Sequence, residues 1–502
     1  MADFIQGLDP ACFFIQKAEQ AEQTTQIKKL FLIRKSDFDA WREAQKSENL
    51  FLESWLNYLD FSPEAGKILV IPGFNFNFNC KKELEKNAGE TAYFLGILES
   101  VGKNFTALES LAAFYNQLPA GDYELEFLNL NLNSVELFQA YIGWGLQAYE
   151  FNRYKLDKDK NKNNLKRLVL DFESNSESNS EILNYLKSHY LIRDLINTPA
   201  DHMGPSELAK AAEVTALKYQ AKFECIKNTD LEKNFPAIHA VGRASDDPPC
   251  LIKLAWGKNK TYPKIILIGK GVCFDTGGLD LKDPEGMRWM KKDMGGAAHV
   301  LGLAELIMQA ELKINLEVYI PAVENSIAGN AYRPGDVVLT RQGLNIEIGN
   351  TDAEGRVILS DALCLACEQK PDLIIDMATL TGAAKIALGP DLPALFSNNN
   401  NLVKAILDMG FLHEDPLWHM PLYQPYKNYL KSNIADFNNM SKSGYGGAIT
   451  AALFLELFVS EEIPWCHIDL MAFNTSSRPA HPEGAEAMGL RALFYMLKKK
   501  YA

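Results

Sequence analysis

Asn350 to Arg356 reads NTDAEGR, with Asp352, Glu354 and Arg356 on alternate positions. On a helix, side chains two residues apart point about 200° apart and cannot share one ligand. In extended or loop backbone they face the same side. Ala353 and Gly355 are small enough to let the chain approach a bound group closely. Two other segments have the same character. LIGKGVCFDTGG supplies Lys270 and Asp275, and LDLKDPEGMRWMKKDMGGAAHV supplies Lys282 and Asp293. Gly277, Gly278, Gly295 and Gly296 lie beside these two acids. Four carboxylates brought together without cations repel one another and are driven to hold protons. Divalent metals relieve that repulsion. Four acids exceed the needs of a one-zinc hydrolase and suit two ions sharing bridging carboxylates. There is no H-E-x-x-H, and none of the eight histidines has an obvious ligand spacing, so a zinc site here would be rich in oxygen. The GKG at 269–271 lacks the upstream glycine and the following Ser/Thr of a phosphate-binding loop. A bland reading competes: a lone D-x-E is usually a solvated turn, and Lys291 with Lys292 would be a surface charge cluster. The residues by themselves leave both readings open and name no substrate.

The elements that must position these residues are legible from apolar patterning. KIILIG (264–269), LEVYIPAV (316–323) and DLIIDMAT (372–379) read as buried strands. GAAHVLGLAELIMQAEL (296–312) reads as a helix, as does the segment after Arg356, with Ile358, Ala362, Leu365 and Ala366 on one face. Near-continuous apolar strands alternating with helices predict a mostly parallel central sheet flanked by helices. The three charged segments then fall at strand ends, where open α/β sheets bind ligands. The expected fold class is α/β, with a smaller N-terminal α/β domain and a larger C-terminal catalytic domain. In the first domain GKILVIPGF (66–74) reads as a strand, ELFQAYIGWGLQAYEF (136–151) as a helix, and FNFNFNC (74–80) as a half-buried strand. The boundary falls in the polar stretch from about Asn152 to Ser180, where LKRLVLDF is a strand and the ESNSESNSE run is a mobile loop. EILNYLKSHYLIRDLINTP then forms a leading helix that stops before Pro199. The expected divisions are an accessory domain at 1–170, a linker and helix at 171–190, and a catalytic domain at 191–502.

The bulk numbers fit a large globular protein. The chain has 502 residues, 47% hydrophobic and 23% charged, ample for sizeable cores. Its formal net charge of −13 argues against a general attraction to nucleic acid. The N-terminus lacks the basic start and apolar run of a signal peptide. No apolar stretch reaches the roughly 18 residues of a membrane span. Eight cysteines in so long a chain are expected to be reduced thiols in a cytoplasm. Cys364 and Cys367 form one C-x-x-C pair without a second half-site and read as two buried helix residues.

At these motifs the chain resembles the leucyl aminopeptidases, also called cytosol aminopeptidases. NTDAEGR is that family's signature and stands intact. The likeness continues through GKGVCFDTGG, MRWMKKDMGGAA, PAVENSIAGNAYRPGD, ATLTGA and GGAITAALFL, from 190 to 495, and is weak in the N-terminal domain. It implies an exopeptidase with two divalent metal ions per subunit, zinc, with manganese or magnesium at an exchangeable position. Asp275 and Glu354 would bridge the ions, Lys270 and Asp293 would complete one position, and Asp352 the other. Lys282 would stabilise the oxyanion that develops on the scissile carbonyl. Bicarbonate held by Arg356, with Ala353, Gly355 and Leu380 nearby, would be the general base, because arginine does not deprotonate. Met290, Asn350 and Thr379 would form the side-chain pocket for leucine or another apolar residue. Met471, in WCHIDLMAF, stands where the family commonly has a small residue and would narrow that pocket. The resemblance also implies a homohexamer acting on peptides. Two alternatives stand beside this reading: the same residues would suit a two-metal phosphatase or nuclease, and the resemblance allows an aminopeptidase with a secondary DNA-binding regulatory role, as some bacterial members have.

Overall fold

The computed structural model describes residues 9–16, 27–46, 50–71, 93–98, 106–128, 132–156, 165–170 and 176–502. FNFNFNC at 74–80 lies outside the described residues. These fall into two compact units. One takes the described residues from 9 to 187 together with Ser477–Pro482, and the other takes Ser188–Ser476 with Glu483–Ala502.

The first unit is built on a six-stranded sheet. Phe14–Gln16, Lys166–Leu170, Gly121–Phe127, Lys28–Arg34 and Tyr93–Leu98 run parallel in that order. Ile68–Ile71 pairs antiparallel at the edge. Phe31, Ile33, Phe38, Trp41, Leu52, Leu56, Leu95 and Ile97 pack into one of its cores. The helix Ser134–Ala148 starts at a capping box in which Asn133 and Glu136 satisfy each other's backbone N–H groups, as Thr106 and Glu109 do for Ala107–Tyr115.

ESNSESNSE is not a loop throughout: a helix runs from Ser176 to Asn197. Serine, asparagine and glutamate are residues that a helix start favours, through capping and through the positive end of its dipole. The polar composition therefore marked a helix terminus.

The second unit holds a nine-stranded sheet. Its centre is four mutually parallel strands in the order Trp465–Asp469, Leu373–Ala378, Lys264–Gly269 and Asn315–Asn325. Gly271–Asp275 adds a further parallel pairing beyond Pro321 on the last of these. The flanks are antiparallel, Ala394–Ser397 on one side and Cys250–Trp256 on the other. All six residues of Leu373–Ala378 are buried, which explains the unbroken apolar run. The helices Gly295–Gln309 and Glu354–Glu368 cover the sheet and are buried on nearly every side. Ile358, Ala362, Leu365 and Ala366 join a core with Ile266, Ile268, Ile374 and Trp465. Cys364 and Cys367 lie on the Glu354–Glu368 helix as free thiols.

Candidate metal centre

Five strand ends supply the site. Lys270 follows Lys264–Gly269, Asp275 ends Gly271–Asp275, and Asn325 ends Asn315–Asn325. Thr379 and Leu380 follow Leu373–Ala378, and Asp469 ends Trp465–Asp469. Asp293 comes from a 3-10 turn, Met290–Met294, that leads directly into the Gly295–Gln309 helix. The NTDAEGR stretch is a turn that becomes a helix: Asp352 precedes the helix, and Glu354 is its first residue. Because the helix begins between the two acids, the 200° separation of a continuous helix does not apply, and the two reach one site.

Asp275, Asp293 and Glu354 are buried and offer carboxylate oxygens that all lie within 4.8 Å of one another. Lys270 Nζ sits 2.8 Å from Asp293 Oδ2 and 2.8 Å from Glu354 Oε1. Lys270 Nζ also donates to the Thr379 carbonyl at 3.1 Å. Apart from Lys270, Asp293 Oδ2 and both oxygens of Glu354, a residue only 1% exposed, have no polar partner among the described residues. Lys282 Nζ contacts Asp275 Oδ2 at 2.8 Å and also pairs with Asp352 Oδ1. The remaining oxygens are held in place. Asp275 Oδ1 accepts from Asn325 Nδ2 at 2.8 Å and from the Gly277 amide at 2.9 Å, and Asp293 Oδ1 accepts from Thr379 Oγ1 at 2.7 Å.

The electrostatics show a cluster under strain without metals. Burial, then the Asp293 charge, pushes Asp275 up to about 6. Burial, then Asp275, pushes Glu354 up to about 8. Burial works to lower Lys270, but the summed charges of Asp293, Glu354 and Asp275 outweigh it and hold the ammonium above the ordinary lysine range. Lys282 is raised in the same way by Asp275 and Glu354. Buried carboxylate oxygens with one ammonium as their only polar neighbour are a donor set that a hard divalent cation takes. Bound cations would remove the repulsion and reverse the preference of Lys270 for its charged form.

Arg356 donates Nη1 to the Asn439 carbonyl at 2.8 Å, while its buried Nε has no partner. Burial lowers its pKa to about 10, which still leaves it a cation at neutral pH. An unused guanidinium edge fits a small planar oxyanion. Asn439 organises this corner: its Oδ1 accepts from the Gly349 amide at 2.8 Å, and its Nδ2 donates to the Asn350 carbonyl at 2.8 Å. Asp469 accepts from the amides of Leu380 and Thr381 at 2.9 and 3.2 Å and from Thr381 Oγ1 at 2.6 Å.

One cavity of about 280 Å³ opens onto these groups. Lys270, Asp275, Lys282, Asp293, Asp352, Ala353, Arg356, Leu380, Met290, Asn350 and Thr379 line it. Glu354 and Gly355 stand behind that surface, and Leu470 rather than Met471 faces the cavity. Lys292 and Lys385 line it too. The surface cluster expected at Lys291 and Lys292 does not form at the second of these: Lys292 is 3% exposed, because the 3-10 turn aims it inward. Burial lowers its pKa to about 8. Sequence reading missed Asn325, Asn439, Asp469 and these two lysines as site residues. Asn325 and Lys292 lie inside the matched motifs and Asp469 ends a strand, whereas Asn439 and Lys385 carry no such signal.

Oxygen donors without histidine, gathered where a parallel sheet opens, fit divalent ions of the kind that activate water in metal-dependent hydrolases. Comparison with known proteins makes the class specific. Residues 190–494 match the "Cytosol aminopeptidase family, catalytic domain". A probable cytosol aminopeptidase of Chlorobium limicola is 34% identical over 470 residues, 88% of this chain and 90% of that one. One from Persephonella marina is 40% identical over 356 residues, 69% of this chain and 71% of that one. The crystal structure of cytosol aminopeptidase from Coxiella burnetii matches with a TM-score of 0.86 at 44% identity, covering 98% of this chain and 100% of that one. The bottromycin maturation enzyme BotP in complex with Mn matches with a TM-score of 0.80 at 27% identity, covering 94% of this chain and 99% of that one. The chain belongs to the cytosol aminopeptidase family and is a metal-dependent aminopeptidase, a hydrolase of peptide bonds.

Proposed function

We propose that Lys270, Asp275, Asp293, Asp352 and Glu354 hold two divalent ions, zinc, or manganese or magnesium at the exchangeable position, with Asp275 and Glu354 shared between them. The observation that carries this reading is Glu354, buried with Oε2 unpartnered and Oε1 facing only the Lys270 ammonium. Ions bound there would polarise the scissile carbonyl and acidify a water. The chain's own residues do the rest. Lys282, on the cavity wall, keeps a positive charge where the carbonyl oxygen gains negative charge. Lys270 in its neutral form donates a lone pair, which the surrounding cation charge favours. Arg356, with Ala353, Gly355 and Leu380 around it, holds bicarbonate by its unused edge. Bicarbonate would supply the general base that a guanidinium cannot be. Met290, Asn350 and Thr379 contact the N-terminal side chain. Met471 is not retained among them, because Leu470 faces the cavity in its place. The family likeness favours leucine or another apolar residue at the N-terminus, and Lys292 and Lys385 on the same cavity add a charged wall to that pocket.

The likeness to family members further supports a homohexamer acting on peptides in the cytoplasm, and no described helix is long and apolar enough to cross a membrane. The test is a panel of aminoacyl p-nitroanilides assayed after metal removal, with zinc, manganese or magnesium then restored. Turnover should vanish on removal, return with metal, and be absent on N-acetylated substrates. Turnover of p-nitrophenyl phosphate alone would replace this reading with a phosphatase.

A further inference from the structure

We propose that Lys292 and Lys385 recognise a carboxylate on the side chain of the substrate's N-terminal residue, so that the enzyme prefers N-terminal aspartate or glutamate. The inference rests on the aminopeptidase reading of the site.

Lys292 is 3% exposed and has no side-chain hydrogen bond or ion pair among the described residues, yet it lines the cavity shared with the acid cluster. A buried ammonium without a counter-ion is costly unless something arrives to pair with it. The carboxylates around it are already committed. Asp469 uses both oxygens on Leu380, Thr381 and the Thr381 hydroxyl. Asp293 takes Thr379 on one oxygen and Lys270 beside the other. Lys385, on the short helix Gly382–Leu388, lines the same cavity, is half-buried, and also forms no ion pair among the described residues. Two unpaired lysines on one cavity make a cationic pocket, and bound divalent ions would add to that field. An anionic side chain gives both lysines a partner. Leucine would leave the buried ammonium desolvated and unpaired, which discriminates more strongly than a change of apolar volume.

Lys292 comes from the turn that also carries Met290 and Asp293, so a residue positioned by that turn would meet it. A peptide's own C-terminal carboxylate has the same chemistry. The two sources separate experimentally, because p-nitroanilides have no C-terminal carboxylate.

The experiment measures kcat/KM of the metal-loaded enzyme on glutamyl, aspartyl, glutaminyl and leucyl p-nitroanilides. Glutamyl turnover should exceed both glutaminyl and leucyl by about tenfold or more. Lys292→Met should bring the glutamyl-to-leucyl ratio below one. Lys385→Met, at a half-buried position, should lower the same ratio by a smaller factor and keeps the test available if the first variant does not fold. Leucyl turnover equal to or above glutamyl in the wild type would overturn the proposal. So would a ratio unchanged in the variants, or an acidic preference seen only between dipeptides and their C-terminal amides. Failure to cleave any aminoacyl amide, with a phosphate ester hydrolysed instead, would sink the aminopeptidase reading itself.

Discussion

A Cβ built on Gly355 would stand 2.6 Å from Lys270 Cε and 2.7 Å from its Nζ, so the glycine is what lets that lysine into the acid cluster. Gly355→Ala should therefore displace Lys270 while leaving the buried helix behind it in place. We expect a loss of about a hundredfold in kcat/KM, the scale of an ångström's misplacement, with an unchanged far-ultraviolet circular dichroism spectrum. Turnover within a factor of two of wild type would show that Lys270 has no such role. At this scale much was legible in the sequence. Lys270, Asp275, Asp293, Asp352 and Glu354 announced themselves as charges among glycines. Asn439 did not. It lies 83 residues from Arg356, and an asparagine in a polar stretch carries no local signal of the four site residues it ties together. Lys292 was legible only as a charge, since direction of burial depends on a 3-10 turn that periodicity does not resolve.

The elements around the site are tied down by polar contacts as well as by apolar burial. His299 on the Gly295–Gln309 helix is fully buried: its Nδ1 lies 2.6 Å from the Gly295 carbonyl, and its Nε2 accepts from the Met488 amide at 2.9 Å. One ring nitrogen donates and the other accepts, so the neutral form is the one that fits. Burial lowers its pKa from 6.5 to about 4. A depressed histidine binds fewer protons folded than unfolded, so its contribution is complete above about pH 6.5 and is lost as pH falls towards 4. The expected loss is about 3 kcal/mol at most. Urea unfolding of wild type should show this decline, and His299→Gln should flatten it. An equally steep decline in the variant would remove His299 as its source. The strands and helices of this unit were readable because burial on both faces leaves a plain apolar pattern. Gly271–Asp275 was not read as a strand, since it is short and only Lys270 separates it from the preceding one. The first turns of Ser176–Asn197 were hidden by a composition that loops and helix starts share.

For the whole molecule, a net charge of −13 leaves the cationic cavity as a local exception in an acidic protein. That contrast favours small or short charged substrates entering a pocket over polyanions covering a surface. Sedimentation equilibrium should give the mass of six chains; a monomer at micromolar concentration would remove the hexamer from this account. The first unit's mostly parallel sheet was legible as α/β, but its task was not, because no constellation of reactive residues stands among its described residues. The central claim is that five side chains, Glu354 foremost, exist to hold two cations. Its most direct test is to count divalent ions per chain by mass spectrometry in wild type and Glu354→Ala, alongside turnover. The account predicts two ions in wild type, at most one in the variant, and no measurable turnover without the second. Two ions retained in Glu354→Ala with near wild-type turnover would contradict it.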